Sequence, residues 1–358
     1  MFGDRLRLAR KRAGLSLRDL AERMGNDVSA QALSKYESGK MLPSSGVLVS
    51  LGKALGVSLD FLMSNQVVAL SGVEFRKHSG TKAAERALAE VTVIDAVERH
   101  LALDAILELD SEKNDLPLKR EVVRSPADVE VLANELRAKW NLGLDPIPSM
   151  TGLLEDKGVK VIAVDIPRKL SGFTGDVQRP AGKPDVPVVV VSTHFSIERR
   201  RFTLAHELAH RVIGESAGDL KLEKAIDRFA AAFLIPAEHL REEVRGARDA
   251  LPPYSELVRL KHFYGVAAAA MLMRLKDIGI LSDATVSYAF QTYARAWRTA
   301  EPEPLDPKGD CGKLEQPTRF ERSVYWALAD HLISLPRAAE FLRRPVSEIE
   351  RAVRGPVQ

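Results

Sequence analysis

Arg199-Arg-Arg-Phe-Thr-Leu-Ala-His-Glu-Leu-Ala-His-Arg-Val-Ile213 decides how the larger part of this chain is read. Its period is helical, so His206 and His210, four residues apart, project from one face a single turn apart. Two imidazoles so placed can share one metal ion. Zinc takes histidine nitrogen readily, and in catalytic sites it keeps three protein ligands and leaves a fourth position for water. Glu207, adjacent to His206, stands where a general base would take a proton from that water, whose pKa the metal brings toward ~7. A five-residue match of this kind also arises by chance on amphipathic helices, so a third ligand is required.

Glu223-Lys-Ala-Ile-Asp-Arg-Phe-Ala-Ala-Ala-Phe-Leu-Ile-Pro236 supplies candidates. It reads as a second helix that begins with a carboxylate and carries an apolar stripe suited to packing against the first. Glu223 is the expected third ligand. Asp227, one turn further along the same face, is the alternative, and Asp219 in the preceding loop is weaker; surface salt bridges are the ordinary use of such groups. A third histidine after the motif is excluded, because Ile213 and Ser216 occupy the positions where the extended pattern needs glycine and histidine.

Outward from this helix the chain changes character. Gly158-Val-Lys-Val-Ile-Ala-Val-Asp165 and Pro187-Val-Val-Val-Val-Ser192 are β-branched runs of strand length, so a small sheet precedes the metal helix. Helical patterns return over 197–280, a proline-rich stretch follows at 301–307, and a last helical segment runs over 319–353. Upstream, residues 66–145 are charged and mostly helical, broken near the turn 110–115, Pro117 and the Lys119-Arg120 pair. The sequence shows no convincing internal repeat.

Residues 1–65 read as five short helices, over 2–13, 16–24, 29–36, 44–55 and 58–62, with Ser16, Ser29, Ser44 and Ser58 placed as N-caps. Ser16-Leu-Arg-Asp-Leu-Ala-Glu-Arg-Met-Gly25 and Ser29-Ala-Gln-Ala-Leu-Ser-Lys-Tyr-Glu-Ser-Gly39 fit two helices around a glycine-containing turn, the arrangement that sets a second helix into the major groove. Ser29, Gln31, Ser34 and Lys35 lie toward the amino-terminal half of that helix and are the expected DNA-contacting residues, with Gln31 able to read adenine. This region holds ten Lys/Arg against six Asp/Glu, and the basic residues concentrate between Arg5 and Arg23, where phosphate contact is expected.

Composition adds bounds. A hydrophobic fraction of 45% with 28% charged residues is ordinary for a folded chain, and a net charge of +3 says little about partners. One cysteine, Cys311, cannot form an intrachain disulfide, which suits a reducing compartment. No run approaches the ~20 apolar residues that span a bilayer, and the arginine-rich start lacks the apolar stretch of a signal peptide. A cytoplasmic, nucleoid-associated protein with no membrane partner is expected.

The residues around the metal motif carry a more specific likeness. Arg201-Phe-Thr-Leu-Ala-His-Glu-Leu-Ala-His210, the helix from Glu223 to Pro236, and the segment 258–280 resemble the ImmA/IrrE family of metallopeptidases over roughly residues 125–285. The resemblance implies that His206, His210 and Glu223 hold Zn2+ and that Glu207 is the catalytic base. Ala209 departs from a frequent glycine. Ile226-Asp227 departs from a usual Ala-Asn pair, and Ile226 would alter the angle at which Glu223 arrives. Tyr264, His262 and Arg201 are open candidates for stabilising an oxyanion, while His239 receives no role. The segment from Arg5 to Pro43 resembles the Xre (Cro/repressor-like) family, with a turn at Gly25-Asn-Asp-Val28 about two residues longer than usual and Leu17 in place of a frequent glutamine.

The expected architecture is multidomain and mainly α with a small β-sheet. It comprises an Xre-type, lambda-repressor-like five-helix domain (1–65), a helical connector (66–124), a zincin-like α+β peptidase domain (125–298), a linker (299–318) and a small carboxy-terminal helical segment (319–358). The last segment resembles the tail of long Xre plus ImmA/IrrE proteins and is open to DNA reading, dimerisation, sensing or simple packing. Family resemblance implies a DNA-binding transcriptional regulator, expected as a homodimer on a double-stranded DNA operator, whose zinc endopeptidase domain cleaves a protein such as a repressor in response to a signal. The alternative is a repressor or antitoxin whose zincin-like domain senses a ligand or partner without proteolysis.

Overall fold

The computed structural model describes residues 2–73, 83–110, 113–117, 120–165, 170–244, 250–307 and 315–354; Cys311, Lys119 and part of the turn 110–115 lie outside them. The amino-terminal helices are α1 (Phe2–Arg12), α2 (Leu17–Arg23), α3 (Ala30–Glu37), α4 (Ser45–Leu55) and α5 (Leu59–Met63). Ser16, Ser29, Ser44 and Ser58 each accept a backbone N–H three residues on, and Ser16 with Asp19 completes a capping box. Leu6, Leu20, Leu33, Leu51 and Leu62 are fully buried between these helices.

The next segment is built into the rest of the molecule. β1 (Ala69–Ser71) is followed by α6 (Ala83–Ile106), a helix of 24 residues, and by β2 (Glu121–Val123). After α7 (Pro126–Lys139) and α8 (Met150–Asp156) come β3 (Lys160–Val164), β4 (Gly172–Gln178) and β5 (Val186–Ser192). They form a four-stranded sheet in the order β1-β4-β5-β3, with β3 parallel to β5 and the other pairings antiparallel. Every residue of β5 is buried. A strand reading Val-Pro-Val-Val-Val-Val-Ser has no polar alternation because both faces of the sheet are covered.

The two faces feed different cores. Val161, Val189 and Val191 join the core of the metal-helix region, whereas Ile162, Val164, Val188 and Val190 join a core shared with α6 and the five amino-terminal helices. The first face carries α9 (Ile197–Val212), then β6 (Ile213–Ser216), which pairs parallel with β2, and α10 (Leu222–Leu234). α11 (Ala237–Glu243), α12 (Tyr254–Tyr264), α13 (Ala268–Asp277), α14 (Asp283–Gln291) and a 3-10 helix at Tyr293–Arg298 complete that layer. α15 (Arg319–Ala329), α16 (Leu335–Leu342) and α17 (Val346–Arg354) enclose a third core with Leu103 of α6.

Residues 299–318, read as a linker, are anchored at both ends. The Glu301 carboxylate accepts the Ala268 backbone N–H and pairs with Lys261, and the buried Glu315 accepts N–H groups of Met150 and Thr151 and the Arg201 guanidinium.

Candidate metal centre and nucleic-acid interface

α9 lies directly on β4, which fixes where the motif histidines point. Gly172 permits this approach: a Cβ there would stand 2.6 Å from both Thr203 Cγ2 and the Val190 carbonyl oxygen. At the other end of α9, Arg211 bonds Thr174 Oγ1 at 2.7 Å, the Gly175 carbonyl and the Asp176 carboxylate. With the helix clamped at both ends, His206, Glu207 and His210 face a cleft of about 1340 Å³ that also reaches Glu223, Asp227 and Trp297.

His206 Nε2 and His210 Nε2 are 3.3 Å apart, and Glu223 Oε2 is 3.7 Å from His206 Nε2. One ligand atom from each of His206, His210 and Glu223 lies within 4.8 Å of the others. Donors bound tetrahedrally at ~2.0–2.1 Å stand about 3.3–3.4 Å from one another, so two imidazoles and a carboxylate at these separations suit zinc in both chemistry and spacing. Asp227, the alternative ligand, lies elsewhere: its Oδ1 is 2.9 Å from His206 Nδ1, on the far side of the ring. A proton on Nδ1 donated to that carboxylate leaves the Nε2 lone pair facing Glu223 and His210. Burial disfavours the His206 cation, but the Asp227 hydrogen bond and the charges of Glu207, Asp227 and Glu223 outweigh it and raise the pKa.

Glu207 is buried, and burial pushes its carboxyl up to about 7, with Glu223 acting in the same direction against His206 and the Thr174 backbone N–H. Ile226 is fully buried in the α9–α10 packing, which orients the first turn of α10 and Glu223 with it.

The three oxyanion candidates are turned away from the cleft. Arg201 is buried and committed to Glu315 at 2.5 Å and the Ile147 carbonyl at 2.6 Å, the Tyr264 hydroxyl meets His239 Nδ1 at 3.3 Å, and His262 Nε2 bonds the Glu303 carbonyl at 2.7 Å. The structure instead brings His194 to the cleft, its Nε2 2.5 Å from Asp165 Oδ1. It is the one imidazole besides the motif pair that lines the cleft among the described residues. A lone histidine beyond a valine run carries no spacing signal, and its partner is 29 positions away.

At the amino-terminal domain, Ser29, Gln31, Ser34 and Lys35 are all exposed on one side of α3, while Leu33, Tyr36 and Glu37 are buried on the other. Ser29 also caps the helix through the Ala32 N–H. Gly25 and Asn26 are successive left-handed residues, which accounts for the long turn before α3. The basic cluster divides. Arg5 is buried against Glu98 and the Val67 carbonyl, Arg10 bonds Glu37 at 2.6 Å, and Arg12 bonds carbonyls at the end of α4, whereas Arg7, Lys11, Arg18 and Arg23 remain exposed. Phosphate contact between Arg5 and Arg23 thus falls to the exposed members, of which Arg7 also reaches Glu37 and Arg23 the Ala54 carbonyl, while Arg10 and Arg12 brace the amino-terminal helices and Arg5 ties α1 to α6.

Comparison with known proteins finds two family matches. Residues 6–62 match the family Helix-turn-helix (HTH_3), and residues 154–276 match the IrrE N-terminal-like domain, Peptidase_M78. The chain is also 41% identical over 63 residues to a Bacillus subtilis (strain 168) protein, the SPbeta prophage-derived uncharacterized HTH-type transcriptional regulator YonR. That match covers 18% of this chain and 56% of the relative's own length. The chain therefore joins a helix-turn-helix domain at its amino-terminal end to an IrrE N-terminal-like domain of the Peptidase_M78 family.

Proposed function

We propose that this protein is a DNA-bound transcriptional regulator whose IrrE-like domain is a zinc-dependent endopeptidase acting on a protein substrate, a repressor being the class favoured, in response to a signal. The observation that carries this reading is the placement of His206 Nε2, His210 Nε2 and Glu223 Oε2 at metal-sharing distances beside the buried carboxyl of Glu207. A purely structural site has no need of a base next to its first ligand.

In this reading His206, His210 and Glu223 hold the ion, and Asp227 fixes the His206 ring. Zinc, when bound, supplies Lewis acidity that lowers the pKa of water in the site and polarises a carbonyl. Glu207 accepts the water proton and returns it to the leaving amine. His194, held by Asp165, lines the same cleft and is placed to contact a bound substrate. Exposed Gln31, Ser34 and Lys35 contact the operator, Ser29 closes the helix end toward it, and a homodimer would present two such helices to two half-sites. No helix among the described residues is long and apolar enough to cross a membrane, and a cytoplasmic, nucleoid-associated protein is proposed.

The test is the Glu207→Gln variant. Glutamine is nearly isosteric but cannot accept the proton, so zinc content and DNA binding are expected to persist while cleavage falls by about 10²–10⁴. Wild type and variant are compared in cells by mass spectrometry of neighbouring regulators, with promoter output in parallel. If promoter output is the same for both and no wild-type-dependent fragment appears under stress, the endopeptidase reading fails and the zinc site is a sensor attached to a repressor.

A further inference from the structure

The expectation of no internal repeat is corrected once the carboxy-terminal helices are aligned with the amino-terminal ones on their helix ends. Shifted by 318 positions, residues 16–29 align without a gap on residues 334–347, and six of the fourteen pairs are identical: Ser16/Ser334, Leu17/Leu335, Ala21/Ala339, Glu22/Glu340, Val28/Val346 and Ser29/Ser347. The correspondence extends to geometry. Ser334 caps α16 as Ser16 caps α2, and Ala339, like Ala21, is buried at a small-residue position. Arg343 ends α16 in the left-handed conformation at φ 53, where Gly25 stands at φ 74 in the amino-terminal copy.

The second helix of the pair is free to act. α17 begins two residues earlier in this register than α3, after a turn of only Arg343, Arg344 and Pro345, which is within the three to four residues of an ordinary helix-turn-helix. Ile349 is its buried residue, and Ser347, Arg351 and Arg354 are exposed. Residues 319–354 carry seven arginines against five acids. Glu348 lies 3.4 Å from Arg344, which also pairs with Glu321, and Glu350 is a second acid on α17; Arg351 and Arg354 have no ion-pair partner among the described residues.

We propose that α16 and α17 form a second helix-turn-helix and that α17 contacts double-stranded DNA beside the site read by α3. The repeat of the amino-terminal motif, the three-residue turn and two unpaired arginines on an exposed second helix favour duplex DNA over a protein partner. The unit sits next to the first: Arg343 pairs with Asp95, Arg99 donates to the Phe341 carbonyl at 2.6 Å, and Glu340 meets Asp60 of α5. One duplex can then be held at two places.

The test uses the full chain and a duplex from upstream of its own gene. Footprints and titrations over ~50–200 mM salt are compared for wild type, the Arg351→Ala/Arg354→Ala double variant, Glu348→Lys and Lys35→Ala. Loss of two phosphate contacts lowers the slope of log affinity against log salt by about 2, and the added lysine raises it by about 1. Protection in the double variant is expected to shorten by about 10 base pairs on one side, roughly one helical turn, while Lys35→Ala weakens the other side. Unchanged slope and footprint in both α17 variants overturn the proposal and leave binding by α3 standing. Loss of self-association in sedimentation, with the slope unchanged, overturns it too and assigns α17 to a protein interface. Absence of binding by wild type overturns the DNA reading of both units.

Discussion

Asp227 lies one helical turn beyond Glu223, yet its carboxylate meets Nδ1 of His206 and not Nε2. The two acids therefore meet different nitrogens of one ring, and different substitutions separate them. Asp227→Asn is expected to weaken zinc binding about 10–100-fold, as removal of a ligand's hydrogen-bonding partner does. Glu223→Ala removes a donor and is expected to cost more. Competition against a chelator, read by elemental analysis, gives the two affinities; a larger loss for Asp227→Asn would reverse their roles. The sequence showed both acids on one helix face but not which imidazole nitrogen each would meet, because that depends on how far α10 is advanced along α9. His194 was illegible for the same reason: the contact with Asp165 exists only once β3 and β5 lie side by side.

At the scale of elements, the legible parts were those with a local signal. Serine caps marked α2 through α5, and valine runs marked β3 and β5. β4, reading Gly-Phe-Thr-Gly-Asp-Val-Gln, passed unnoticed because glycine at 172 and 175 weakens any strand pattern. Those glycines permit close packing: the first admits α9, and at the second a Cβ would meet the Ser71 carbonyl of β1 at 2.8 Å. Gly172→Ala is accordingly expected to destabilise the protein by ~1–3 kcal/mol through overpacking. It should also shift α9 and depress zinc affinity, although residue 172 is no ligand. Urea unfolding with parallel zinc titration checks this; an alanine variant equal to wild type in both would show that β4 and α9 have slack between them.

Across the whole molecule, contacts between residues far apart in the chain were hidden from pattern reading. α6 looked like a charged connector, yet it packs on α1, on β1 and β3 of the sheet, and on α15. Its His100 ring lies 4.4 Å from Phe320. Desolvation, with Lys160, Arg99 and Arg319 close by, lowers the His100 pKa well below the ordinary histidine value. A depressed folded-state pKa means that the unfolded chain takes up the proton first. The neutral ring's contribution is complete above about pH 6.5 and is lost as pH falls toward the folded-state value. The protection factors of α15 amides, that is, exchange corrected for its intrinsic pH dependence, are expected to fall below that pH in wild type and to lose this dependence in His100→Phe. The same fall in both proteins would place the sensitivity elsewhere.

The position of α6 has one more consequence. At about 36 Å long by the helical rise, it contributes side chains to the core under the amino-terminal helices and to the core of the carboxy-terminal unit. A boundary drawn on either side of it cuts through packing and not through solvent-exposed chain, so a fragment lacking either neighbour would carry a strip of bare hydrocarbon along this helix. The molecule is modular in its chemistry but not in its cohesion: shared cores of this kind lead to the expectation that its parts unfold in a single transition, with destabilisation at one end lowering the stability of the other.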